Sequence, residues 1–463
     1  MTPFVPLALF GFIPLVFYLF NQYPSQRAVI VSFVAGYLFL PQVGFVAEYP
    51  LVQGLPPYEK MSALSYIVLL GTILFASNRL SSFQPGWIDL PMLIWCLCPI
   101  ASQMSNGLSP ISPTTQQIIS WGVPYFLGRI YFNDLAGLRQ LAISIFLGGM
   151  AYVPLCLLEQ RIAPTLHLRL YGYHARADFA QTMRYGGYRP TVLLEHGLWV
   201  GMWMMAATLV GLVLWRTGVI KKVWNYPMSW LVPVLFVTFI LVKSTGAYLY
   251  LVMAIGLWFT TRWLRTALPI LLLVVTMSGY VYVAATGILY NNPQVTAFAA
   301  TANAGGGGNE RSQSLAFRVY NEAMLSRKAQ LRMMFGWGDS GGNRIYDETG
   351  KDISVTDSLW IIAYGQNGLV GLFCFMAMLL LPSLVFSFRY PPSSWSNRKV
   401  APAASLALVL IFYTLDSLLN AMACPVFILA NGGLAGLVLR PPESLKVTSN
   451  RTSVQRRSLV QQR

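Results

Sequence analysis

Apolar runs near the roughly 20 residues that carry a helix across about 30 Å of hydrocarbon recur along almost the whole chain. They lie at 2–20, 27–46, 62–77, 89–104, 116–132, 139–158, 192–214, 229–242, 246–261, 267–288, 359–388, 402–420 and 424–440. The pattern predicts an all-α, polytopic integral membrane protein with about 12 or 13 transmembrane helices, in one membrane domain spanning 1–440. The first run has no basic stretch before it and no small-residue cleavage site after it, so it is expected to be a retained span.

Two polar breaks are longer than simple connections, at about 159–190 and 290–356. A loop of the second size is usually functional or disordered. It opens with "NAGGGGNERSQS", whose four successive glycines suit a hinge or a flexible spacer. "SLAFRVYNEAMLSRKAQLRMMF" then predicts a surface helix over about 314–335, with Ser312 or Ser314 as N-cap. Spacings of seven and four put Arg311, Arg318 and Glu322 on one of its faces. "FGWG" ends the helix, "DETGKD" has the composition of a hairpin turn, and the basic tail 441–463 is expected to be disordered and cytoplasmic.

Composition agrees with a membrane protein: 55% of residues are hydrophobic and 10% charged, against about 25% charged in soluble domains. The five cysteines all fall inside predicted spans, where they act as small apolar packing residues. A net charge of +16 does not signal nucleic acid, because the basic residues sit in short connections. "WRTGVIKKVW", "TRWLR" and "RYPPSSWSNRK" are such connections, and the positive-inside rule puts them in the cytoplasm. Counting spans back from the C-terminus then turns both long loops outward, although Arg161, Arg169, Arg176, Arg184 and Arg189 in the first would by themselves argue otherwise. The N-terminus is outside if all the spans cross, and inside if 116–132 only re-enters.

Ionisable residues at membrane depth are costly and mark function by default. Here they gather at the outward face. Arg184, Arg189, Glu195 and His196 sit at the outer end of the run at 192–214, Lys243 lies in the tight hairpin "LVKSTGAYLY", and Asp357 heads the run at 359–388. Arg311 and Arg318 lie on the surface helix between them. Cations with few acids among them suit an anion presented at the bilayer surface, such as a lipid diphosphate, since guanidinium binds phosphate oxygens bidentately. Structural roles compete: Arg184 as a headgroup anchor, Lys243 snorkelling, Arg311 as a solvated charge, Glu195–His196 as a capping pair, Asp357 as an N-cap. Arg189 and Arg318 fit such roles least. Asp339, Asp347 and Asp352 are spaced as turn residues, so metal-independent chemistry with no cofactor is expected.

"YRPTVLLEHGLWVGMW", "LVKSTGAYL", "SLAFRVYNEAML…FGWG" and "TDSLWIIAYGQNGLVGL", in that order over about 185–375, resemble the O-antigen ligase and polymerase superfamily of membrane glycosyltransferases. The first two motifs lean toward its exopolysaccharide polymerases. The resemblance implies an undecaprenyl-diphosphate-linked glycan as donor, a glycan acceptor, a bacterial inner-membrane location with a periplasmic active site, and room for a chain-length regulator. It implies leaving-group stabilisation by Arg189 and Arg318. Where the ligases carry a histidine this sequence has "VTDS", which makes Asp357 the candidate to position or deprotonate the acceptor, with Glu195 and Glu322 in reserve. Trp337 and Tyr346 offer flat faces for a sugar. Two alternatives stand: ligase-type transfer to lipid A core or another acceptor, and transport of the lipid-linked glycan. A flippase should carry charges through the membrane depth on several spans, whereas Asp416 is the main mid-span charge here.

Overall fold

The computed structural model describes the chain except residues 44–48, 176–181, 302–309, 340 and 443–463, and the side chains of 310–312 and 314. Arg176, the four-glycine run, the tail from 443 and the Arg311 side chain therefore lie outside the described residues.

The protein is an all-α, multi-pass membrane protein, and each of the thirteen apolar runs contains helix. The helices are α1 (Phe4–Gln22), α2 (Ser25–Phe39), α3 (Lys60–Phe75), α4 (Leu90–Ser105), α5 (Ile111–Gln117), α6 (Val123–Tyr131), α7 (Leu135–Ile162), α8 (Leu166–Tyr171) and α9 (Gly197–Arg216). They continue as α10 (Met228–Leu241), α11 (Thr245–Leu264), α12 (Leu268–Ala285), α13 (Pro293–Ala300), α14 (Glu310–Gln330), α15 (Leu359–Arg389), α16 (Ala401–Ser417) and α17 (Pro425–Leu439). Among the described residues, six segments are long and apolar enough to cross a bilayer: Phe4–Gln22, Trp87–Ser105, Leu135–Ile162, Gly197–Arg216, Leu268–Ala285 and Leu359–Arg389. Five shorter apolar helices pack among them.

Hydrogen bonds at the two ends of the bundle fix its course. At one end the Thr2 amide donates to the Tyr171 carbonyl at 2.9 Å and the Tyr171 hydroxyl to the Phe39 carbonyl at 2.8 Å. This end gathers the start of α1, α8 and the two long loops. At the opposite end Gln26 donates to the Tyr131 carbonyl and Arg389 to the Arg440 carbonyl, both at 2.7 Å. The predicted run at 116–132 starts earlier, at Ile111, and traverses the bundle as α5 and α6 joined by a π-helical turn at Ile118–Gly122. Ser65 donates to the Ile119 carbonyl at 2.6 Å, satisfying a carbonyl that the widened turn displaces.

Small residues set the closest crossing. A Cβ at Gly128 would collide with the Leu429 carbonyl and one at Gly432 with the Tyr125 carbonyl, so α6 and α17 approach backbone to backbone over "GGLAG" at 432–436. Such Gly-xxx-Gly faces let helices associate where no hydrophobic effect acts between them. The five cysteines are buried and unpaired.

Two expectations are corrected by helix ends. α14 begins at Glu310 rather than 314, so Ser312 and Ser314 lie within it rather than at its N-cap position, and it ends at Gln330 rather than 335. Just past Gln330 the bonding tightens, with the Leu331 amide donating to the Lys328 carbonyl at 3.3 Å and the Arg332 amide to the Ala329 carbonyl at 3.0 Å, and Gly336, at a φ of 70°, does not resume the helix. α15 is broken at Gly368 (φ 65°, ψ −161°). Across this break the amides of Trp337 and Gly338 donate to the carbonyls of Gly365 and Gln366 at 2.9 and 3.0 Å, and the Leu369 amide to the Met333 carbonyl at 2.7 Å. The "FGWG" stretch thus supplies the partners that the interrupted helix lacks.

Candidate functional site

A short antiparallel hairpin, Met183–Arg184 with Gly187–Tyr188, delivers Arg189 to the loop-bearing end. The residues after Arg189 are held by two buried charges. Glu159, near the end of α7, accepts from the amides of Thr191, Val192 and Leu166 at 2.8, 2.7 and 2.9 Å. Lys60, at the start of α3, donates to the Leu193 carbonyl at 2.9 Å. Val192 is kept at a φ of 52°, a strained value for a β-branched residue that only a tightly determined segment retains. His196 then caps α9, its Nδ1 accepting from the Leu198 amide at 3.0 Å. This is the capping role that competed with a substrate role for His196.

The Arg189 side chain lies flat on Gly197, where a Cβ would stand 2.7 Å from its Nε. It is 5% exposed. Its Nη2 donates to Ser244 Oγ at 3.0 Å, while its buried Nε has no hydrogen-bond partner. Burial first, then the charges of Arg184 and Arg318, push its pKa down to about 10, so it is still cationic at neutral pH. Ser244 is buried against Gly201 in the α10–α11 hairpin. Its neighbour Lys243 adopts a φ of 57° and lays its ammonium against the Gly187 backbone, joining the same cationic wall rather than snorkelling away from it.

Arg318 reaches the wall from α14. Its Nη2 donates to Asn420 Oδ1 at 3.3 Å, and its Nε lies 3.9 Å from Asp357 Oδ2. Asn420 in turn donates to Asp416 Oδ1 at 2.7 Å. Asp416 is buried at the end of α16, and its charge acts on both Arg189 and Arg318. Asp357 is not the cap of α15; Ser358 holds that position.

One turn beyond Arg318, Glu322 shares its face of α14, as the spacing requires, but is fully engaged. It accepts from the hydroxyls of Tyr280 and Tyr290 at 2.9 and 3.4 Å, Ser358 Oγ at 3.3 Å and Trp360 Nε1 at 3.3 Å. Burial raises its pKa, which these donors oppose. With its acceptor positions taken, Glu322 is a strut joining α12, α14 and α15 rather than a reserve base. Glu195 turns elsewhere, accepting from Gln42 at 3.4 Å and facing Lys60. Trp337 is also separate: its indole donates to the Lys328 carbonyl at 2.9 Å, and its ring carries Lys328 at 4.3 Å and Arg332 at 4.7 Å. Cations already occupy the flat faces expected to meet a sugar. Tyr346 is exposed beside the "DETGKD" turn, which closes with the Asp347 amide bonded to the Lys351 carbonyl at 3.0 Å.

The fold therefore brings together Arg184, Arg189, Lys243, Arg318 and Asp357, and adds Ser244, Asn420 and Asp416. Asp416 had a visible signal, a carboxylate inside an apolar run. Glu159 and Lys60 stood at the ends of such runs, where a charge is unremarkable. Nothing local marks Asn420. No family model matches the sequence, and no curated protein shows significant similarity to it.

Proposed function

We propose that the protein is a membrane glycosyltransferase that joins oligosaccharide repeat units carried on undecaprenyl diphosphate into a polysaccharide, on the outer face of the inner membrane. The observation that carries this reading is Arg189: a buried guanidinium with an unbonded Nε, held among other cations drawn from distant parts of the chain. A buried guanidinium N–H without an acceptor is costly, and a diphosphate would supply acceptors to Arg189 within the cationic set that includes Lys243 and Arg318.

In this reaction the acceptor hydroxyl oxygen attacks the anomeric carbon, the carbon–oxygen bond to the diphosphate breaks, and its electron pair leaves with undecaprenyl diphosphate. The hydroxyl proton passes to Asp357, which orients the acceptor. Arg189 and Arg318 meet the charge that grows on the leaving group, where fixed cations outperform water. The Asp416–Asn420 pair keeps the Arg318 guanidinium in place. A single displacement of this kind inverts the anomeric configuration.

The test is incubation of the purified protein in liposomes with undecaprenyl diphosphate oligosaccharide and neither nucleotide nor metal, followed by separation of products by length. A ladder is expected, falling about 100-fold or more in Arg189→Ala and in Arg318→Ala. Transfer of a single unit to a lipid A core acceptor without a ladder would make the protein a ligase. Movement of the carrier lipid across the bilayer with no bond formed would make it a transporter.

A further inference from the structure

The opposite end of the bundle holds a second feature, built where two of the basic connections begin. α9 and α11 face each other there with matching stripes. On α9 the stripe runs Leu209, Leu212, Arg216; on α11 it runs Ile255, Phe259, Arg262. Spacings of three and four put each set on one side of its helix. Together they line a cleft of about 740 Å³. From its first apolar residue to its arginine each stripe rises over seven residues, roughly 10 Å at 1.5 Å per residue.

The two arginines are differently placed. Arg262 donates to Ser396 Oγ and lies 5.8 Å over the buried Trp258 ring, which fixes its direction. Arg216 is exposed and makes no hydrogen bond or ion pair among the described residues. No acid lines the cleft, and the adjoining connections at 215–224 and 389–399 contain basic residues and no acidic ones. Phe259 and Trp263 are 55% and 82% exposed, so the cleft opens sideways, toward lipid.

We propose that this cleft binds an anionic phospholipid. Its phosphate lies between Arg216 and Arg262, and one acyl chain lies along the Leu212 and Ile255 stripes. Basic pockets between transmembrane helices favour acidic headgroups, and guanidinium suits the phosphate oxygens. A soluble anion would leave the apolar stripes unused, and a neutral lipid would leave the paired arginines without a counter-charge. The inference does not depend on the transferase reading.

It is tested by native mass spectrometry of the delipidated full-length protein, titrated with phosphatidylglycerol and with phosphatidylcholine. Phosphatidylglycerol should be retained preferentially. Arg216→Ala combined with Arg262→Ala should weaken it about 25-fold, two basic contacts at about fivefold each. Ile255→Trp, which fills the cleft and keeps both cations, should also displace it. Lys221→Ala with Lys222→Ala removes the same charge at the same end, outside the cleft, and should leave retention unchanged. Equal retention of the two lipids, equal loss in the Lys221 and Lys222 control, or full competition by soluble glycerol phosphate would each overturn the proposal.

Discussion

At the scale of single residues, Lys243 shows how a strained position and a charge coincide. A non-glycine residue in the left-handed region costs roughly 1 kcal/mol or more, and such strain gathers where function holds it in place. Lys243→Gly should therefore raise thermal stability slightly, by up to about 1 kcal/mol, and, on the transferase proposal, should lower product formation at least tenfold because Lys243 is proposed to meet the diphosphate. Unfolding midpoints in detergent and product ladders measure the two separately; a variant both less stable and fully active would show that Lys243 is structural. The cationic set was legible in the sequence because arginine and lysine are conspicuous beside apolar runs. The residues that aim them were not. Asn420 is 102 positions from Arg318, and Glu159 fixes Val192 from 33 positions away, distances over which no local pattern persists. Trp337 misled for the complementary reason: an aromatic in a loop advertises an open face, and only the fold reveals that Lys328 and Arg332 cover it.

At the scale of elements, hydropathy located the helices and overlooked their interruptions. One glycine barely alters the mean of the run at 359–388, yet at Gly368 the helix stops and restarts, and the π-helical turn in 116–132 is equally silent. The "FGWG" stretch was legible as a break, but not as the partner of a second one. The join is tight: a Cβ at Gly368 would collide with the Met334 carbonyl, at a φ that side chains rarely adopt. Gly368→Ala should accordingly destabilise the protein by more than the roughly 1–2 kcal/mol of backbone strain alone. Gly350→Ala provides the comparison, since its φ is 80° with nothing near its Cβ, and it should lose only the strain. Thermal unfolding of the two variants checks this; equal losses would mean that the backbone crossing between 333–338 and 365–370 carries no weight of its own. Through that crossing the break also fixes the end of α14, and so the register that presents Arg318.

At the scale of the molecule, the parity of the chain decides whether the cationic wall faces the compartment where lipid-linked glycans are extended. Counting apolar runs left two arrangements, because charge in the 159–190 segment opposed the count and 116–132 had two fates. The crossing of α5 and α6 from one end of the bundle to the other selects between them: the start of α1, the cationic wall and the 290–356 loop share one end, and the basic connections share the other with the end of α17. By the positive-inside rule the expected place of that second end is the cytoplasm. Because the native cysteines are buried, single cysteines at exposed positions report sidedness with little background. Ser112→Cys and Glu348→Cys should react with a membrane-impermeant maleimide on intact cells, whereas Asn78→Cys and Ser393→Cys should react only after lysis. A re-entrant 116–132 would exchange the first half of this result, with Asn78→Cys labelled and Ser112→Cys protected, while Glu348→Cys and Ser393→Cys stayed as they are. Labelling of Ser393→Cys on intact cells would turn the whole bundle over, put Arg189 and Arg318 on the cytoplasmic side, and remove the reason for assigning them a donor delivered at the outer leaflet.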